Sequence, residues 1–119
     1  MKEKEKKKVL IVGEDEFGQN LVGLICDTLQ LHYLRAKSTQ KAREILTSED
    51  ICLIILGRHL EDGNCDEILK FAKENFPLIK IIYFSSHPCE LARKLANSYL
   101  SRMVKGIADL QTEVEKLIT

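Results

Sequence analysis

The chain has no run of about 18 apolar residues, so no segment is long enough to cross a bilayer as a helix. It has no net charge either. Eighteen basic and eighteen acidic residues cancel, which removes the general electrostatic attraction to nucleic acid that a strongly basic domain has. Only the opening MKEKEKKK is locally basic, and it lacks the apolar stretch and small-residue cleavage site of a secretory signal. A cytoplasmic protein is expected, with residues 1–7 a flexible solvated terminus and with no nucleic-acid or membrane partner. None of the four cysteines, Cys26, Cys52, Cys65 and Cys89, stands in a C-x-x-C pair, which removes the usual zinc and thioredoxin-like signatures. Cys52 sits inside an apolar run, where a cysteine acts as a small hydrophobe. Cys65 and Cys89 fall in loops or helix starts that could be neighbours, and a redox role for them stays open. No glycine-rich phosphate loop follows the first apolar run: GEDEFG is acidic and would repel phosphate, so no flavin or nucleotide cofactor is expected.

What is there fits one domain of 119 residues, with no internal repeat, low-complexity linker or second unit. KVLIV (8–12), ICLIIL (51–56) and KIIYF (80–84) are short, nearly unbroken runs of branched or aromatic residues, the pattern of strands buried on both faces. HYLRA (32–36) and YLSRMV (99–104) are weaker strands. Between them lie helical patterns. Phe17, Leu21, Leu24, Ile25 and Thr28 share helical spacing; Ala42, Ile45 and Leu46 follow a Ser38 or Thr39 cap; Ile68, Leu69 and Ala72 mark a third helix. Pro88 suits the first turn of a helix carrying Leu91 and Leu95, and Ile107, Leu110, Val114, Leu117 and Ile118 give an amphipathic last helix. Five strand-then-helix units in residues 8–119 predict an α/β, doubly wound domain: an open parallel sheet with helices on both faces. Such sheets bind ligands beyond the carboxyl ends of their strands. The positions that matter are therefore Gly13, Glu14 and Asp15, then Gly57 and Arg58, then Ser85 and Ser86, then Arg102.

Four of these stretches, in order, resemble the response-regulator receiver family over almost the whole chain. VLIVGEDEFGQNLV is similar to its first strand and acidic cluster, and LIILGRHLEDGN to its third strand, with Gly57 where the family has its phosphate-accepting aspartate. IIYFSS is similar to the fourth strand, ending in a hydroxyl residue, here Ser85. YLSRMV resembles the fifth, with an aromatic residue at Tyr99, Arg102 in place of a lysine and Met103 in place of a proline. The resemblance implies a flavodoxin-like (βα)5 fold with a five-stranded parallel sheet of order 2-1-3-4-5, and a signalling module that takes phosphate on an aspartate with magnesium held by carboxylates. This chain lacks that chemistry: Gly57 offers neither nucleophile nor ligand, and the acidic pair reads Gly13 and Glu14. Asp62 lies five residues past Gly57, beyond the third strand, and should sit away from the pocket. Neither it nor Asp15 is expected to replace the acceptor. His59 is not expected to hold a cobalamin, because GRHLEDG has no aspartate two residues before it.

The expectation is a stand-alone or terminal pseudo-receiver: not an enzyme, without metal or cofactor, and acting by protein contact in a signalling pathway. The alternative is an unorthodox phosphotransfer or small-ligand-sensing receiver that uses a different acceptor or pocket. With Gly13 and Gly57 bare, Arg102 should bond Glu14 or Asp15. The family's output surface, the fourth helix, fifth strand and fifth helix, would include Tyr99. Arg93 and Lys94 on one of its helices and Asp109 and Glu113 on the other would also permit a weak, salt-sensitive homodimer.

Overall fold

A computed structural model describes residues 8–102 and 105–118. Met103 and the terminus expected to be flexible, residues 1–7, lie outside the described residues. The elements run β1 (Lys8–Val12), α1 (Glu16–Thr28), β2 (His32–Ala36), α2 (Thr39–Ser48), β3 (Ile51–Leu56), β4 (His59–Leu60), β5 (Gly63–Asn64), α3 (Asp66–Asn75), β6 (Lys80–Ser85), α4 (Glu90–Leu95), β7 (Ser98–Ser101) and α5 (Ile107–Ile118). The five long strands form one parallel sheet of order β2-β1-β3-β6-β7. Counting only its own strands, that is 2-1-3-4-5, the order the receiver resemblance implies. Among the described residues no helix is long and apolar enough to cross a membrane.

The side-chain period of two divides each central strand between two cores. Leu10 and Val12 of β1, with Ile54 and Leu56 of β3, face Ala42, Ile45 and Leu46 of α2 and Ile68, Leu69 and Ala72 of α3. Val9, Ile11, Leu53 and Ile55 point the other way, onto Val22, Ile25 and Cys26 of α1 and Leu110 and Val114 of α5. Burial on both faces is why these strands lack polar alternation. Each Leu, Ile or Val so enclosed contributes about 1.5–3 kcal/mol of transfer free energy. Ser38 caps α2 as its spacing predicts, with Oγ accepting from the Lys41 amide.

Three sequence expectations fail locally. The last strand, expected over 99–104, spans Ser98–Ser101, with Arg102 in a turn beyond it and residues 103–104 outside the described residues. The expected apolar stripe of α1 is only partly buried: Ile25 is enclosed and Leu21 half-buried, but Phe17 is 66 % and Leu24 61 % exposed and Thr28 is on the surface, while Gly18, Gln19, Val22, Ile25 and Cys26 form the buried face. The buried face also carries Gly18 and Gln19, so hydrophobicity alone turns the expected stripe away from it. Pro88 lies before α4, whose N-cap is Cys89, so it ends the preceding loop and does not open the helix. The sequence reading also omits the two-residue ladder of β4 and β5, which closes at Gly63 with φ +143°, a conformation open to glycine.

Candidate functional site

The carboxyl ends of β1, β3, β6 and β7 lie side by side, so residues far apart in sequence meet there. The Gly13 amide donates to Ala36 O at 3.0 Å, the Gly57 amide to Val12 O at 2.9 Å and the Glu14 amide to His59 O at 2.9 Å. These bonds set the two glycines against each other. A β-carbon built on Gly13 would stand 3.8 Å from Gly57 Cα, and one on Gly57 would stand 3.7 Å from Val12 O, both ordinary contacts. Neither glycine is there because a side chain could not fit.

Beneath them is a cavity of about 40 Å³ bounded by Gly13, Gly57, Gln19, Phe84 and Arg102 among others. Gln19, absent from the sequence expectations, ties its wall together: its Nε2 donates to Gly13 O at 2.6 Å and Ala36 O at 3.0 Å, joining the ends of β1 and β2. Its Oε1 is buried without a protein partner. The only sequence signal for this role is a polar residue in register with Val22 and Cys26. Above the glycines a hollow of about 450 Å³ opens among Glu14, His59, Ser86, His87 and Arg102.

Arg102 follows β7 and its Nη1 donates to Asp15 Oδ2 at 2.9 Å, the second of the two partners its setting predicts; Glu14 is exposed. The guanidinium also lies 5.5 Å over the Phe84 ring. The Arg102 hydrogen bond holds the Asp15 carboxyl below its ordinary 3.8, against the opposing pull of burial. Gly18 on α1 leaves room for the pair, since a β-carbon there would come within 2.8 Å of Asp15 Oδ2 and 3.0 Å of Arg102 Nη1.

Asp62 is remote from this edge. Its carboxylate accepts the Thr39 amide at 2.7 Å and the Gln40 amide at 3.2 Å, capping α2 from outside. The Thr39 amide is the main reason its pKa falls below 3.8. His59 is exposed and meets His87 edge to face at 4.6 Å.

On the β6–β7 side the polar groups are engaged. Ser85 is 6 % exposed, and its Oγ accepts the His87 amide at 3.1 Å, capping the loop after β6. Tyr83 is fully buried and stacks on Tyr99 at 5.0 Å. Burial pushes the Tyr83 phenol up to about 12, so it stays neutral and donates to His87 O at 2.5 Å. Tyr99 Oη accepts the Cys89 amide at 3.0 Å, and Arg93 lies 4.3 Å over its ring. Arg93 and Lys94 are exposed on α4. On α5 the Glu113 carboxylate accepts the Ser98 hydroxyl at 2.6 Å, and Asp109 accepts the Gly106 amide at 2.9 Å.

Magnesium with a phosphoryl acceptor needs several carboxylate oxygens around one point. At this edge Gly13 and Gly57 supply none, and Asp15 is already paired with Arg102. The residues do not fit that ion.

No protein-family model matches the chain, and no curated protein sequence matches it. Solved structures do. A CheY-like response regulator receiver domain protein from Methanospirillum hungatei superposes with a TM-score of 0.84 at 19 % identity, covering 94 % of this chain and 93 % of its own. The signal receiver domain of an HD domain-containing protein from Pseudomonas fluorescens gives 0.85 at 18 % identity, covering 96 % and 95 %. An orphan response regulator of H. pylori gives 0.79 at 14 % identity, covering 95 % and 97 %. At these identities the likeness shows the fold, which is the CheY-like, flavodoxin-like one.

Proposed function

We propose that this chain is a receiver-like signalling module that works by protein contact and without phosphorylation. The observation that carries this is the pair Gly13 and Gly57: where a phosphoacceptor and its metal ligand would project there are no side chains, although a β-carbon at either position would make only ordinary contacts. Arg102, the cation that would meet a new phosphoryl group, is bonded to Asp15. The receiver fold supports protein partners, and the α4–β7–α5 surface around Tyr99, Arg93 and Lys94 is the face for them. The exposed charges of α4 and α5 can also pair two copies weakly, since such ion pairs contribute only about 0–1 kcal/mol each. A ligand can move the module between states only by binding one better than the other. We read the module as no phosphotransfer enzyme, because among the described residues Gly13 and Gly57 leave the ends of β1 and β3 without an acceptor side chain. Magnesium with beryllium fluoride, a phosphoryl mimic, should leave the amide signals of Ser85 and Tyr99 in place; large shifts there would refute this function.

A second function, sensing of a small ligand, is favoured by one observation: Gln19, whose Oε1 is buried without a partner, lines the cavity under the glycines. A cavity of that size suits a water or two rather than a metabolite, so an organic ligand would occupy the hollow above.

A further inference from the structure

Away from the glycine edge, the N-cap residues of α3 and α4 are both cysteines, Cys65 and Cys89. Their sulfurs are 3.7 Å apart although 24 positions separate them in sequence. Arg58 reaches over the pair. Its Nη1 donates to Asp66 Oδ1 at 3.1 Å and lies 3.6 Å from Cys89 Sγ and 3.9 Å from Cys65 Sγ. Cys89 Sγ is also 3.5 Å from Asp66 Oδ1 and accepts the Ala92 amide at 3.4 Å.

We infer that Cys65 and Cys89 are a redox-active pair that closes to an intramolecular disulfide when a hydroperoxide is the oxidant. This does not depend on the function proposed above. Two sulfurs in contact need only a small approach to bond, and Arg58 decides between the two chemistries such a group can do. The two sulfurs and the Asp66 carboxylate lie within 4.8 Å of one another, close enough to share a metal ion. A fixed guanidinium among those ligands opposes a second cation, whereas it favours a thiolate, the form that attacks an oxidant. Burial pushes the Cys65 thiol up to about 12, with the neighbouring Cys89 adding to the rise and Arg58 opposing it. Cys65 is therefore held as a thiol, and Cys89, with 4 % of its surface exposed against 0 %, is the less enclosed residue of the two.

The step balances as follows. The Cys89 sulfur attacks one peroxide oxygen, the O–O bond breaks, and the thiol proton leaves with the departing hydroxide as water. The Cys65 sulfur then displaces the hydroxyl group on Cys89, forming the S–S bond, and its own proton leaves in a second water. Two thiols are oxidised and one hydrogen peroxide is reduced to two waters. The bond ties the start of α3 to the start of α4, the helix on which Arg93 stands.

The test is to treat the reduced, folded chain with hydrogen peroxide and to map its thiols by mass spectrometry under non-reducing conditions. The expected result is a mass lower by two hydrogens and a peptide pair joining Cys65 to Cys89, with Cys26 still free. Cys26 is the internal control: fully buried on the other core and pushed up to about 11 by burial next to Asp27. Cys65→Ser should stop the reaction at Cys89, leaving a sulfenic acid that dimedone traps. The inference is overturned if the folded chain gives no Cys65–Cys89 link, if the link is instead between chains through Cys52, or if Cys65→Ser gives no dimedone adduct on Cys89. It is also overturned if one equivalent of zinc alone consumes both thiols and protects them from peroxide, since the group would then be a metal site.

Discussion

The two halves of the sheet's carboxyl edge differ in what their residues do. At β1 and β3 the strands end in Gly13 and Gly57, with a small cavity below and an open hollow above. At β6 and β7 they end among interlocked side chains: Tyr83 on Tyr99, Tyr99 on the Cys89 amide, Ser85 on the His87 amide, and Arg93 on Tyr99. The first half has space without chemistry, and the second has connections without space. Under the proposed function, the connected half presents a surface to a partner, and the bare half is where an acceptor for a phosphoryl group is missing.

The comparison can be broken by substitution. Tyr83→Ala removes a fully buried ring together with its hydrogen bond and should cost about 3–5 kcal/mol, read as a lower urea midpoint at unchanged slope. Tyr99→Phe keeps the ring and strands the Cys89 amide, so about 1 kcal/mol should be lost and the amide signals at the start of α4 should move. Arg102→Gln removes the partner of a carboxylate that is 57 % exposed, so the expected loss is only about 0.2–1 kcal/mol.

That variant has a sharper signature in pH. Asp15 titrates below its ordinary 3.8 when folded, so the stability from its pairing is full above that value and disappears as pH falls through the lower, folded-state value. In Arg102→Gln the carboxyl carbon of Asp15 should titrate closer to 3.8, and an unchanged midpoint would show that Arg102 is not the cause. The smallest effect belongs to the empty half. Gly57→Ala adds a methyl group whose nearest neighbours are at 3.7 and 4.0 Å, so stability should stay within about 0.5 kcal/mol. If Gly57→Ala costs as much as Tyr83→Ala, the distinction between the halves is wrong.

Most of the fold is legible in the sequence because strands buried on both faces leave unbroken apolar runs. β1, β2 and β3 begin and end where KVLIV, HYLRA and ICLIIL do, and β6 extends KIIYF by Ser85. Legibility fails where a pattern is short or misleading. β4 and β5 have two residues each, too few for any period to register. The inner face of α1 holds Gly18 and Gln19, which look polar but serve the pocket: one clears space for Arg102 and the other ties two strand ends. At the candidate site the strand-end positions can be read from topology alone, and so can the choice of partners for Arg102. The Gln19 clamp and the Arg58 contacts with Cys65, Asp66 and Cys89 cannot. They join positions between 6 and 31 residues apart through side chains, and no local period encodes such contacts.

The central claim is that this edge cannot carry a phosphoryl group, and intact mass tests it most directly. The chain is incubated with magnesium and a small phosphodonor such as acetyl phosphate, and Gly57→Asp is treated in parallel. The account predicts that the native chain keeps its mass. It also predicts that the variant gains little, because Gly13 still leaves the metal one carboxylate short. A stable gain of one phosphoryl group on the native chain, mapped to Asp15, Asp62 or any other carboxylate, would contradict it.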